Sequence, residues 1–340
     1  MSNKINNIRK YRKFMIIGIL LILIVAIITL KYGASQVSVN DIFEAFTAYN
    51  KDNFRLVTIR DIRLPRWIAD VIVGTSLAIA GAIMQGTTKN PMADSGLIGI
   101  SSGATLGVII IIIFYPGAGR YEKMFISTLG AGLVTLLIYI IAFLGRRRVT
   151  PDRMVLSGMA ISTLLSSIIT SLVLKHGLSG QMLRYTSGSS ANVIWKDIIV
   201  ALPFFIIGLV ISIMISRSLT VMNLGEDVSK GLGANVALIK IMSTIVVLIL
   251  SAVAVIIIGP VGYVGLMIPY LARFMVGSDY RLILPICAVY GGLFVTVVDF
   301  VAKCIHPGLE FPIGLLITII GVPFFIYVSR KQGGDIYADK

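Results

Sequence analysis

A succession of apolar runs, most of them about 17 to 23 residues long and separated by short polar breaks, constrains this chain more than any other feature. A helix rises about 1.5 Å per residue, so runs of this length cross a hydrocarbon core roughly 30 Å thick, whereas the strands of a membrane barrel alternate over about ten residues. No soluble core calls for so much continuous apolar sequence: 56% of the residues are hydrophobic and 14% charged. The expected fold is therefore all-α, a single polytopic transmembrane domain over residues 1–340. Its spans fall near 14–31, 67–86, 93–115, 124–144, 154–174, 194–216, 236–258, 262–276, 282–303 and 312–329, about ten in all. The first follows Lys10, Arg12 and Lys13 as in a signal peptide, but no small-x-small cleavage site with a soluble remainder follows, and it reads as a retained span.

Charge sets the expected orientation. The net charge is +14, and the basic residues sit in short clusters beside apolar runs rather than on one continuous surface, which argues for topology and against nucleic acid. Lys4, Arg9, Lys10, Arg12 and Lys13 precede the first span, Arg146, Arg147, Arg148 and Arg153 separate the fourth and fifth, and Arg330 and Lys331 follow the last. With ten spans all three clusters share one side, so both termini are expected in the cytoplasm of a cell membrane. The segment between the first two spans breaks the pattern with Arg55, Arg60, Arg63 and Arg66 on the outer side. Anchoring to lipid headgroups is one explanation; an acidic partner arriving from outside, gripped by the planar guanidinium fork, is the favoured one. Pro65 is expected to start the second span and to hold Arg63 and Arg66 at the outer surface.

Residues 217–235, RSLTVMNLGEDVSKGLGAN, form a polar island between two long apolar runs. Glu226, Asp227 and Lys230 would each cost a few kcal/mol at the bilayer centre, so the island belongs in water or against another protein. One or two short helices broken at Gly225 and at Gly231 to Gly233 are expected, giving a docking knob. Small residues at four-residue spacing, Gly74, Ala78, Ala82 and Gly86, then Gly99, Gly103 and Gly107, predict close helix packing within the chain. In GPVGYVGLMIPYLARFMVG at 259–277, the glycines and prolines predict a broken, partly unwound helix that lipid tolerates only where protein buries it. In the fifth span, Thr163, Ser166, Ser167, Thr170 and Ser171 fall at i, i+3, i+4, i+7 and i+8, a single stripe of hydroxyls. Such a stripe either bonds back to its own helix and packs, or lines an aqueous path.

Taken in order, R-L-P-R at 63–66, G-x-x-x-Q from Gly81 to Gln85, N-P-M-A at 90–93, L-I-G-I-S-S-G-A at 97–104, L-S-G at 156–158, N-L-G-E at 223–226 with G-L-G at 231–233, G-P-V-G-Y-V-G-L-M-I-P at 259–269, P-I-G at 312–314 and I-G-V-P at 320–323 resemble the FecCD-like, type II permeases of bacterial ABC importers for iron–siderophore complexes, haem and cobalamin. The resemblance covers roughly residues 55–330. It implies about ten helices per subunit, a homodimer or heterodimer with the pathway between subunits, and two cytoplasmic ATPases gripping the island as a coupling loop through Asn223, Leu224, Gly225, Glu226, Gly231 and Gly233. It further implies an extracytoplasmic solute-binding protein whose acidic residues meet Arg63, Arg66 and, near the outer end of the ninth span, Lys303. It places the fifth and tenth spans along the subunit interface, which favours the aqueous-path reading of the hydroxyl stripe. Two positions depart from the family pattern: Tyr270 stands where His is frequent, and Lys303 keeps a charge but loses the guanidinium fork.

The function expected is translocation of a ferric siderophore into the cytoplasm, with haem or cobalamin as the alternative cargo. The sequence has no G-x-x-x-x-G-K-[ST] phosphate loop, so the chain is not expected to be an enzyme; it binds no cofactor of its own, and ATP and Mg belong to the partner ATPase. His176 and His306 lack companions at ligand spacing, and no metal site is expected. Cys287 and Cys304, on one helix, lie too far apart for a disulfide. An ion-coupled secondary transporter would need acids within its helices, and only Asp70 and Asp299 qualify; Asp299 stands four residues before Lys303, the spacing of a helical ion pair. A membrane scaffold leaves the island and the outer arginines without a purpose.

Overall fold

The computed structural model describes residues 2–33, 37–94, 99–143, 151–305 and 311–338, and among these there are helices and connections but no strands. Arg146, Arg147, Arg148 and His306 lie outside the described residues, as do Leu97 and Ile98 of the third-span motif. The helices, in order, are α1 (Ser2–Lys31), α2 (Val39–Thr47), α3 (Phe54–Val57), a π-helical turn (Thr58–Arg63), α4 (Leu64–Thr88), α5 (Ile100–Phe114), α6 (Arg120–Phe143), α7 (Pro151–Lys175), α8 (Ser179–Thr186), α9 (Trp195–Asn223), α10 (Glu226–Gly231), α11 (Val236–Ile258), α12 (Val264–Val276), α13 (Tyr280–Ile305) and α14 (Ile313–Ala338). Seven helical stretches are long and apolar enough to cross a membrane, and three shorter apolar ones are Ile100–Phe114, Val264–Val276 and Ile313–Val328. Together they fall on the ten apolar runs.

Helix α4 is the axis of the molecule. It packs against α9, α11, α12 and α13, and nearly every residue from Ala69 to Gly86 is buried. Its glycines explain how. A Cβ built on Gly74 would stand 2.1 Å from the carbonyl oxygen of Gly291 in α13, and one on Gly291 would stand 2.3 Å from the oxygen of Gly74. Gly81 meets Gly265 of α12 the same way, at 1.9 Å. Lipid tails are as apolar as the side chains, so helices associate through close van der Waals contact, and backbone against backbone is the closest available. The outer pair α5 and α6 repeats the device, Gly103 against the Gly130 carbonyl at 2.5 Å. The small-residue spacing is thus spent on packing within the chain.

The break expected near residue 259 lies between α11 and α12, where Gly259 and Tyr263 both have positive φ and α12 is only 13 residues long. Its freed backbone groups are satisfied from elsewhere, because the Ser189 N–H donates to the Ile258 carbonyl at 3.0 Å. Beside it, Ile313 N–H donates to the Gly188 carbonyl, which ties the start of α14 to the same segment. Arg273, the cation inside this short helix, donates to Gln85 Oε1 at 2.5 Å, while Gln85 Nε2 donates to the Gly265 carbonyl at 3.1 Å. Two of the quoted motifs therefore meet in space.

Two expectations need correction. The polar island does not begin at Arg217: α9 continues as helix to Asn223, and only Leu224 to Asn235 leave it. Pro65 stands in the first turn of α4 as expected, but it does not begin the helical backbone. A helix runs from Phe54 to Thr88, and Pro65, which has no N–H to donate backwards, follows the π-helical turn. On the outside of α1, Ile16, Leu20, Leu23 and Ile27 form an exposed apolar stripe at i, i+4, i+7 and i+11, the face a spanning helix turns to lipid. Cys287 and Cys304 are both free thiols in α13.

Gly74→Ala or Gly81→Ala is expected to force α4 off its neighbours and to cost about 1–3 kcal/mol. Gly132→Ala, where a Cβ meets nothing within 4 Å, should leave thermal unfolding in the same detergent unchanged. Equal melting temperatures for all three would remove the close approach as the source of stability.

Candidate functional site

Functional side chains gather at the two ends of the α4 axis and on one outward helix face. At the first end, the π-helical turn carries an extra residue per turn and so rotates Arg63 inward, toward the C-terminus of α1. Arg63 is buried, and one guanidinium nitrogen donates to the carbonyls of Leu30 at 2.7 Å and Lys31 at 2.9 Å. Those carbonyls have no partner within their helix, and a cation suits the negative end of the helix dipole. The expectation that Arg63 projects from the surface is therefore corrected: it straps α1 to the second span.

Arg66, one turn on, grips Asp299 of α13 with Nε at 3.1 Å and a terminal nitrogen at 2.6 Å from Oδ1. Lys303 Nζ sits 2.6 Å from Oδ2 of the same carboxylate, the i, i+4 pair expected from the sequence, and the Ser190 hydroxyl donates to Oδ1 at 3.1 Å. Asp299 is fully buried, whereas the side chains of Arg66 and Lys303 remain 16% and 15% exposed. Two cations thus share one anion and keep an edge to solvent. Asp70 lies one turn below Arg66, also fully buried, with its carboxyl beside that of Asp299 in the same cluster and no N–H or hydroxyl donor on either oxygen. At the same end the Trp195 indole N–H donates to the Arg60 carbonyl at 2.9 Å, the Arg60 guanidinium lies over the Tyr49 ring at 4.3 Å, and Arg55 is exposed 3.8 Å from Asp41.

At the opposite end the chain turns out of α9 at Leu224 and Gly225, whose φ of +131 is open to glycine and strained for other residues. Helix α10 follows, then Gly233 at φ +78, and Asn235 caps α11 by accepting from the Leu238 N–H at 3.1 Å. Ser229 is the rivet, a residue the sequence reading passed over: buried, it donates its hydroxyl to the Val221 carbonyl of α9 at 3.0 Å and to Gly225. Glu226 forms a hydrogen-bonded ion pair with Lys240 of α11, and that bond holds its carboxyl below the usual carboxylate range. Leu224 before α10, Val228 within it and Leu232 after it are all exposed, three aliphatic side chains on a polar knob. The only signal for them in the sequence was three aliphatic residues among charges. Asn223 and Gly231 are exposed beside it.

The hydroxyl stripe of α7 faces away from the rest of the chain. Thr163, Ser166, Ser167, Thr170 and Ser171 are all exposed, while Leu165 and Ile169 are buried. Thr163, Ser167 and Thr170 donate to carbonyls four residues back, those of Met159, Thr163 and Ser166, at 2.8 to 3.1 Å. Each hydroxyl oxygen still has acceptor capacity left for water or another chain. Among the described residues no three His, Cys, Asp or Glu side chains converge as metal ligands would.

The model of the FecCD transport family matches residues 20–331 of this chain. The iron(3+)-hydroxamate import system permease protein FhuB of Bacillus subtilis is 34% identical over 90% of this chain and 79% of its own length. The Fe(3+)-citrate import system permease protein YfmD of the same organism is 35% identical over 89% of this chain and 90% of its own. The cobalamin import system permease protein BtuC of Halobacterium salinarum is 34% identical over 81% and 74%. A solved structure of an inward-facing ABC transporter of the metal-chelate type superposes with a TM-score of 0.82 at 27% identity, over 94% of this chain and 99% of that one.

Removing the shared anion strands two cations at a half-dry site, so Asp299→Leu should cost about 3–5 kcal/mol, less whatever Arg66 and Lys303 recover by reaching water. Asp70→Leu removes the carboxyl that sits against Asp299 without taking an anion from either cation, and is expected to cost less than Asp299→Leu. Thermal unfolding of the two variants measures the difference; the reverse order would make Asp70 the anchor of the cluster.

Proposed function

Because this chain belongs to the FecCD transport family, whose members are permease subunits of ABC importers and not themselves enzymes, we propose that it forms the membrane pathway through which a ferric siderophore enters the cytoplasm. The observation that carries the reading is the knob at Leu224 to Asn235. Exposed aliphatic side chains at Leu224, Val228 and Leu232, on an element bolted to α9 by Ser229 and to α11 by Glu226 and Lys240, are what a motor protein needs in order to push on a membrane helix pair. A separate ATPase supplies ATP and Mg chemistry. An apolar surface on it takes Leu224, Val228 and Leu232, while Asn223, Gly225, Glu226, Gly231 and Gly233 fix the shape of the knob. Helices α9 and α11 both pack on α4, so displacement of the knob is passed to the axis of the subunit.

The pathway forms between two permease subunits, with the α7 hydroxyls of Thr163, Ser166, Ser167, Thr170 and Ser171 facing it. Hydroxyls that already satisfy their own helix offer a polar chelate weak contacts that it leaves as easily as it makes. An extracytoplasmic solute-binding protein docks at the Arg66 end. Its carboxylates compete with Asp299 for the exposed edges of Arg66 and Lys303, and Arg63 acts there by holding α1 in place. The knob then lies on the cytoplasmic side with both termini, in agreement with the cluster of Arg9, Lys10, Arg12 and Lys13. The names of the iron(3+)-hydroxamate and Fe(3+)-citrate permeases support an iron chelate as cargo, and the halobacterial cobalamin permease is the ground for the second reading, a haem or cobalamin importer.

Changing Leu224, Val228 and Leu232 together to Ser is expected to weaken ATPase association at least tenfold, about 1.4 kcal/mol, and to abolish ATP-driven uptake while the permease still folds. Gly225→Val, strained at its φ of +131, should uncouple uptake from hydrolysis. Uptake of a panel of ferric chelates, haem and cobalamin into proteoliposomes carrying the ATPase and the solute-binding protein measures both. Normal ATP-driven transport by both variants would show that the knob is not the coupling element.

A further inference from the structure

Helix α2 has a face that the importer reading leaves unused. At about 100° per residue, Val39, Phe43 and Phe46 fall within about 40° of a single line, Ile42 and Ala45 turn off to one side of it, and Asn40, Asp41, Glu44 and Thr47 fill the remaining arc. Ile42 and Ala45 are accounted for, since they pack with Leu30, Val37, Leu56, Ile59 and Leu64. Val39, Phe43 and Phe46 touch no such core and are 45%, 68% and 59% exposed.

The depth of the helix is fixed by what it leans on. Leu30 is in the last turn of α1, the turn that Arg63 straps, so α2 lies beside the rim of a spanning helix and not above it. The lipid-facing stripe of α1, Ile16, Leu20, Leu23 and Ile27, ends at this level, where Tyr32 is exposed and lies under the Lys31 ammonium at 5.4 Å. Trp195, at the start of α9, is tied to the same level by its bond to the Arg60 carbonyl. Aromatic rings with a polar tip mark the boundary between hydrocarbon and headgroups. A capping box fixes the first turn of α2: Ser38 Oγ accepts from Asp41 N–H at 3.1 Å, and Asp41 Oδ2 from Ser38 N–H at 2.7 Å.

We infer that α2 lies in the plane of the membrane at the Arg66 end, with Val39, Phe43 and Phe46 seated among phospholipid acyl chains and Asn40 and Glu44 turned to water. The face continues the band by which α1 already meets lipid, and its three arcs match three neighbours: protein on the Ala45 side, hydrocarbon on the Phe43 side, water on the Glu44 side. Exposed Lys51, Arg55 and Arg60 follow α2 in the chain, Arg55 within 3.8 Å of Asp41 on the helix, and supply cations that suit lipid phosphates. A protein arriving along the membrane normal would meet the polar arc, not the phenylalanines. The helix thereby pins the connection between the first two spans to the leaflet and fixes the height of Arg66 and Lys303 above the bilayer.

The test places a single tryptophan at Phe43→Trp, Phe46→Trp or Glu44→Trp, with Trp67→Phe and Trp195→Phe, in full-length protein reconstituted into phosphatidylglycerol and phosphatidylethanolamine vesicles. Lipids brominated on the upper acyl chain should remove most of the emission at positions 43 and 46 and little at 44, whereas aqueous iodide should quench 44 alone. Iodide quenching at 43 and 46 without bromolipid quenching would overturn the assignment in favour of a water-facing surface for a protein partner. Protection from both quenchers would overturn it in favour of a contact between copies of the chain. Should replacing Trp195 disturb the fold, Phe43→Cys and Glu44→Cys in a Cys304→Ser background with native tryptophans give the same answer. A membrane-impermeant maleimide should label position 44 and spare 43, and equal labelling would overturn the inference.

Discussion

Hydrocarbon offers a peptide group no hydrogen-bond partner, and the rest of this structure depends on that constraint. It obliges every spanning segment to be helical and removes the hydrophobic effect as the force between helices. Contact must supply the cohesion, and contact is greatest where side chains are absent. Gly74 on Gly291 and Gly81 on Gly265 bring α13 and α12 onto α4 backbone to backbone. Where the chain abandons helical geometry, between Gly259 and Tyr263, the orphaned Ile258 carbonyl is met by Ser189, because water is not there to meet it.

The same scarcity of solvent governs the charges. Arg63, Arg66, Arg273 and Lys303 lie within or at the rim of the spans, and each has a fixed oxygen partner: helix-end carbonyls, Asp299, or Gln85. None of these arrangements is worth much as bare stability, since desolvation offsets most of the Coulomb attraction. Their value is geometric. Arg63 sets the end of α1, Asp299 joins the second span to α13 and to the segment carrying Ser190, and Gln85 links Arg273 to the Gly265 carbonyl across the broken helix. A body cross-linked in this way transmits displacement from one end to the other without folding up around it, which is the property that a member of an ABC importer family needs.

The Arg66 cluster at one end and the Leu224 to Asn235 knob at the other are built on opposite principles. The cluster is a trapped anion with two cations around it, each keeping an edge to solvent. The knob exposes aliphatic side chains on a polar support, with Ser229 and Glu226 spending their hydrogen bonds inward on α9 and α11.

From its sequence this chain could be read as an all-helical membrane protein, with its spans in order, a polar knob before the seventh span, small residues for close packing and a broken helix near residue 259. All of these follow from local pattern: run length, spacing and the incompatibility of Glu226 with hydrocarbon are properties of neighbouring residues. The pair of Asp299 and Lys303 was legible for the same reason, being one helical turn apart. The fate of Arg63 and Arg66 was not. Arginines beside a proline at the end of a span look alike in sequence, and whether they face outward depends on a π-helical turn and on an acid 233 residues away along the chain. Likewise the sequence could not say whether Ser229 was solvated or buried, or that α2 would turn one apolar arc inward and leave another bare. Those outcomes depend on which distant segment occupies the space beside a helix, and only the folded chain decides that.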